Sequence, residues 1–128
     1  MESWPPYEEE LEKTLAEKGA NMVADVLTDW LGGKINEEIQ DHSHATVCKK
    51  IKKEDGKLNL NGDPERNLRL IRAYHKWPGT FFFQEHKGQK IRIKITRASL
   101  VDGQLVIEKV IPEGKKEMSY KDFLNGFR

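Results

Sequence analysis

Gln89-Lys90-Ile91-Arg92-Ile93-Lys94-Ile95-Thr96-Arg97, then Ala98-Ser99-Leu100-Val101-Asp102-Gly103, then Gln104-Leu105-Val106-Ile107-Glu108-Lys109-Val110-Ile111 is the stretch on which the fold turns. Apolar and charged residues alternate with period two from Lys90 to Ile95. A strand with that pattern presents Ile91, Ile93 and Ile95 to a core and Lys90, Arg92 and Lys94 to the opposite face. Asp102-Gly103 supplies the two residues that a type I′ hairpin needs at positive φ. The spacing therefore predicts a strand from Gln89 to Arg97 and a second from Gln104 to Ile111.

Working outward, Phe81 to Glu85 reads as a strand entering this hairpin through a tight turn at Lys87-Gly88, with Phe81 and Phe83 inward and Phe82 more exposed. Asp63-Pro64 reads as the N-cap and first position of a helix that runs to about Tyr74 with Leu68 and Ile71 inward. Trp77-Pro78-Gly79-Thr80 ends it. Ala45 to Ile51 is a candidate first strand, followed by a turn at Glu54-Asp55-Gly56. Ser119 is the expected N-cap of a last helix, Tyr120 to Asn125, with Gly126 at its C′ position. Further upstream, Leu11, Leu15, Met22, Val23, Val26, Leu27 and Trp30 recur at helical spacing, and Gly19 is expected to split them into two helices. The expected class is α+β: an N-terminal αα segment over 1–34, a linker over 35–44, and over 45–128 a small, reduced OB-like β-barrel with one inserted and one C-terminal helix.

The 128 residues bound the chain to about one domain with an appended segment. The formal net charge of +1 hides a split: residues 1–40 hold 3 Lys+Arg against 10 Asp+Glu, and the remainder holds 19 against 11. An acidic segment joined to a basic domain points to an anionic partner for the latter. The start of the sequence has no secretory pattern and no apolar run long enough to span a bilayer, so a cytoplasmic chain with no membrane contact is expected. Cys48 is the single cysteine, which fits a reducing compartment and reads as a small hydrophobe rather than a nucleophile. Asp41 with His42-Ser43-His44 lacks further ligands at recognisable spacing, so no metal site is assigned. Phe81, Phe82, Phe83, Trp77 and Tyr74 could stack on bases, but most of them read as core residues. No catalytic or cofactor-binding residue is assigned either, because no Gly-rich phosphate loop, paired carboxylates or Ser/His/Asp arrangement is present.

Several motifs lie in the order of a known family. Gln40-Asp41 through Ala45-Thr46, Lys50-Ile51, Lys53-Glu54-Asp55-Gly56, Leu70-Ile71-Arg72-Ala73-Tyr74 and Trp77-Pro78-Gly79 resemble the linker and C-terminal domain of methionyl-tRNA formyltransferase. So does the ending, Pro112-Glu113-Gly114-Lys115-Lys116-Glu117-Met118-Ser119 followed by Asp122-Phe123-Leu124-Asn125-Gly126. Leu11, Leu15, Gly19-Ala20 and Val26-Leu27 are similar to the last helices of that family's catalytic domain. The resemblance implies a parent enzyme whose Rossmann-like domain binds 10-formyltetrahydrofolate and transfers the formyl group to the methionyl amine of initiator tRNA, while the basic barrel holds the acceptor arm.

The family's catalytic Asn, His and Asp lie upstream of anything in this sequence, so the chain alone is expected to be inactive and to hold no cofactor. Its partners would be initiator tRNA and the Rossmann-like catalytic domain, with self-association through the N-terminal helices as another outlet for their apolar stripe. The RNA-contacting set is expected to be Lys49, Lys50, Lys52, Lys53, Arg72, Lys90, Arg92, Lys94, Lys115 and Lys116. Between Arg97 and Gln104 the chain is shorter than longer family members, which implies a reduced barrel. Two alternatives stay open: a structural or interaction module that buttresses a catalytic domain, and the equivalent part of a sugar-nucleotide formyltransferase.

Overall fold

The computed structural model describes residues 5–86 and 88–126. Two compact units divide the chain, one made of the residues up to Glu8 together with those from Ile51 onward, the other of Glu9–Lys50.

The first unit is built on the predicted hairpin. Strand β1 (Thr80–His86) pairs with β2 (Gln89–Val101), β2 with β3 (Gln104–Pro112), and β3 with the short β4 (Met118–Ser119), giving an open antiparallel sheet in the order β1-β2-β3-β4. Asp102 at φ 50° and Gly103 at φ 74° make the β2–β3 turn. The other expected turn involves Lys87, which lies outside the described residues. The sheet's inner face carries Phe82, Ile93, Ile95, Ala98 and Val110, closed off by Leu58, by Leu68 and Ile71 of helix α2 (Pro64–Ala73), and by Phe123 of helix α3 (Tyr120–Asn125). The architecture is α+β and consistent with a small OB-like domain.

Strand β2 runs four residues beyond the Arg97 end that its sequence implies. Its register shifts between Ile95 and Ala98. A bulge inserts one residue and reverses which face the following residues take. Ile93 and Ile95 therefore face the core before it, and Ala98 faces the core after it, at 3% exposure. The loss of strict alternation at Thr96-Arg97 marks this bulge rather than a strand end.

The phenylalanine run is out of phase with expectation. Phe82 is the core residue, at 5% exposure, and Phe83 is 39% exposed. Cross-strand pairing explains it. Phe82 lies opposite Ile93, and directly paired residues share a sheet face, so the buried Ile93 draws Phe82 inward and puts Phe81 and Phe83 on the other side.

No strand forms over 45–51, and Val47 is 94% exposed. The apolar residue that joins the sheet here is Leu58, whose N–H donates to Phe81 O at 2.8 Å beside an isolated Lys57–Phe81 bridge. Before it, Lys53–Gly56 makes a 3-10 turn in which the Asp55 carboxylate accepts from Lys52 N–H at 2.7 Å. Gly56 is packed against the next turn: a Cβ there would lie 2.1 Å from Gly79 O.

Helix α2 is capped as expected, Asp63 accepting from Glu65 N–H at 2.9 Å with Pro64 in the first turn. Gly79, at φ 76°, donates to Tyr74 O at 2.9 Å and leads into β1. Ser119 accepts from Asp122 N–H at 3.0 Å and starts α3. Gly126 caps α3 at φ −74°, so the left-handed conformation expected of a C′ glycine is not used there.

The second unit contains helix α1 (Glu8–Leu31), a single 24-residue helix where the sequence suggested two. Leu11, Leu15, Met22, Val26 and Trp30 keep one helical phase across Gly19, so the apolar stripe is continuous, and a lone glycine costs only about 1 kcal/mol in a helix. After α1 the chain is irregular except for a 3-10 turn at His42–His44.

Candidate nucleic-acid interface

Because Ile91, Ile93 and Ile95 turn toward the core, Lys90, Arg92 and Lys94 stand on the opposite face of β2. Their direct partners on β1 are Glu85, Phe83 and Phe81 respectively. The result is a surface of alternating cations and aromatic rings.

The Arg92 guanidinium lies 3.9 Å over the Phe81 ring. Lys90 Nζ stands 4.9 Å from the Phe83 ring centre, and Lys57 Nζ stands 6.0 Å from the same ring. Phe81 and Phe83 meet edge to face at 5.6 Å. Rings of this kind hold cations by their negative faces and cost little to leave half-exposed once so covered.

A groove of about 350 Å³ runs between this face and the 3-10 turn, lined by Lys53, Glu54, Lys57, Phe81, Phe83 and Arg92. Gly56 makes it possible, since its bare Cα lets the turn lie against Gly79 and so brings Lys53 and Lys57 beside β1. Arg92 Nε is buried in this region without a hydrogen-bond partner among the described residues. Glu113 accepts weakly from the Arg92 backbone N–H, at 3.3 Å.

The expected RNA-contacting residues separate by position. Lys53 and Arg92 line the groove, and Lys90 stands beside it over the Phe83 ring. Lys94 lies on the same face, its side chain running past Gly79, where a Cβ would meet Lys94 Cε at 2.7 Å. Lys52 is exposed at the start of the 3-10 turn, and Lys49 and Lys50 are exposed in the other unit. Lys115 and Lys116 are exposed in the turn between β3 and β4, where Lys115 N–H donates to Pro112 O at 3.0 Å.

Arg72 stands apart. It is 8% exposed, its guanidinium lies 5.5 Å from the Tyr7 ring, and it donates to Pro5 O. Tyr7 also packs edge to face on His75 at 5.0 Å. The buried guanidinium thus holds the segment at Pro5–Tyr7 against the end of α2 and does not face solvent.

Four groove residues, Glu54, Lys57, Phe81 and Phe83, were not in the expected set. A signal for Lys57 exists in the alternation Lys57-Leu58-Asn59-Leu60, which turns Lys57 outward once Leu58 is buried. Phe83 carries no such signal, because its exposure follows from register. The polar segment at Asp41 is locally satisfied: its carboxylate accepts from Ser43 N–H at 2.9 Å, and hydrogen bonding by Ser43 holds Asp41 below the usual carboxylate range.

Residues 50–104 match the family model described as formyl transferase, C-terminal domain. The chain thus carries the C-terminal domain of a formyl transferase. Within that class the likeness is to methionyl-tRNA formyltransferase, whose C-terminal portion the chain matches along most of its length. The protein of that name from Koribacter versatilis is 32% identical over 94% of this chain and 44% of its own length. That from Carboxydothermus hydrogenoformans is 33% identical over 93% of this chain and 45% of its own. For Chloroflexus aurantiacus the figures are 39%, 73% and 29%. The chain spans less than half the length of these curated relatives.

Proposed function

We propose that this chain is the tRNA-holding C-terminal portion of a methionyl-tRNA formyltransferase, and that the outer face of β1 and β2 is its RNA-contacting surface. The observation that supports this reading is the gathering of Lys53, Lys57, Lys90 and Arg92 around one groove, with Lys94 further along the same face. Lys and Arg at strand spacing meet successive backbone phosphates, and such contacts position an RNA without reading its sequence.

The same reading gives α1 a role. Its apolar stripe, with Met22 at 67% and Trp30 at 53% exposure, would dock on the catalytic domain of the parent enzyme, with residues 35–44 as linker. No helix of the described residues is long and apolar enough to cross a membrane. A cytoplasmic site of action accords with a tRNA partner.

Formyl transfer needs a folate pocket and groups that handle the proton of the attacking amine. On this reading the parent's 10-formyltetrahydrofolate and those groups belong to its catalytic domain. Purified chain given 10-formyltetrahydrofolate and charged initiator tRNA should show no turnover above a blank without protein. Titration of isotope-labelled chain with tRNA should shift amide resonances at 53–57, 80–86 and 90–94. Shifts confined to α2 and the 105–107 strand end would place the RNA elsewhere.

A further inference from the structure

We infer that the groove at Phe83 takes a single unpaired nucleotide, its base stacked on the Phe83 ring and its phosphates held by Lys57, Lys90 and Arg92. This inference rests on the RNA-holding reading and adds which part of an RNA the site engages.

Phosphate contact alone gives no reason for an aromatic residue at the centre of a cationic face. Phe83 is 39% exposed, and its neighbour in the face, Phe81, is buried at 7% beneath Arg92. Only one of the two rings is left with a face open to solvent and to mobile cations. The two rings meet nearly perpendicular, at 85°, and this contact helps hold the Phe83 ring in place.

Lys57 and Lys90 are flexible ammonium groups, at 6.0 Å and 4.9 Å from the ring centre, so one of them can leave the ring for a phosphate as a base arrives. Arg92 is less free. Its stacking on Phe81 holds the guanidinium beside the groove, and its unpaired Nε is a donor with no internal partner among the described residues.

The chemistry selects an unpaired base. Within a duplex the base faces are covered by their neighbours, so a ring on a protein surface meets a base face only where the strand is single, looped or frayed. The carboxylate of Glu54 on the groove wall limits the positive field, and so argues against a site that merely collects polyphosphate.

The test uses the full chain and two fluorescent probes at low salt: a single-stranded 12-nucleotide RNA without self-complementarity, and the same strand annealed to its complement. Phe83→Ala should weaken the single strand roughly 5- to 100-fold, the range that loss of one stacked base gives, and change duplex affinity less than about twofold. Phe83→Tyr should restore single-strand binding. Independently of any variant, the unaltered protein should bind an abasic strand of equal length and charge more weakly by a similar factor. Unchanged single-strand affinity in Phe83→Ala, an equal loss on both probes, or equal binding of abasic and normal strands would overturn the inference while leaving phosphate contact intact. If the unaltered chain binds neither probe nor tRNA, the RNA-holding reading falls as well.

Discussion

Phe82 and Phe83 are adjacent, identical and differently placed, and the pairing of Phe82 with Ile93 is the cause. Truncation should separate them. Phe82→Ala empties a buried site between Ile93 and Tyr120 and should cost about 3–5 kcal/mol of unfolding free energy, whereas Phe83→Ala should cost well under half as much; denaturant melts check both. A larger cost for Phe83→Ala than for Phe82→Ala would mean that the run has the opposite phase. A run of three like residues contains no phase of its own, so this detail was not legible locally, whereas Lys90 to Ile95 declared its own faces. Tyr120 gives a pH-dependent counterpart. Burial raises its phenol above the ordinary 10.0. A group held protonated in the fold stabilises it below the unfolded pKa, and that contribution is lost as pH rises through the folded value. Stability should fall above about pH 10, and Tyr120→Phe should fall less over the same window, in melts recorded from pH 8 to 11.

At the scale of elements, caps and hairpins were the legible part. Asp63-Pro64, Asp102-Gly103 and Ser119 each carry their chemistry in one or two residues, and each sits where that chemistry requires. Ala45–Ile51 shows the limit of such reading: the segment was a strand candidate by its residues, but a strand needs a partner, and Leu58 makes the bond to Phe81 instead. The bulge at Thr96-Arg97 was likewise invisible, because a break in alternation reads equally as a strand's end. In α1 the glycine signal outweighed the continuous stripe, wrongly. A Gly19→Ala variant tests the uninterrupted helix. It should stabilise α1 by about 0.5–1 kcal/mol and slow amide exchange over 14–24 by roughly twofold to fivefold; unchanged exchange would indicate a break at that point.

For the whole molecule, the charge split pointed to an anionic partner and the ordered motifs resembled the formyltransferase family, and the comparison with formyl transferase C-terminal domains agrees with that resemblance. The candidate surface was legible in part. Lys53, Lys90, Arg92 and Lys94 fell on it, while Lys57 and Phe83 entered through contacts between distant segments, and Arg72 was withdrawn by burial. The central claim is that this face holds RNA by its phosphates, and the salt dependence of tRNA binding tests it most directly. With about four to six contacts, log K against log[salt] should fall with a slope of about −3 to −5. The combined variant Lys90→Gln, Arg92→Gln, Lys94→Gln should keep its fold, since Ile91, Ile93 and Ile95 are untouched, and should show a slope shallower by about 2–3 with weaker binding to every tRNA. Gln at Lys13 and Lys18, both on α1, should change neither quantity. A folded triple variant with unaltered affinity and slope would contradict the account.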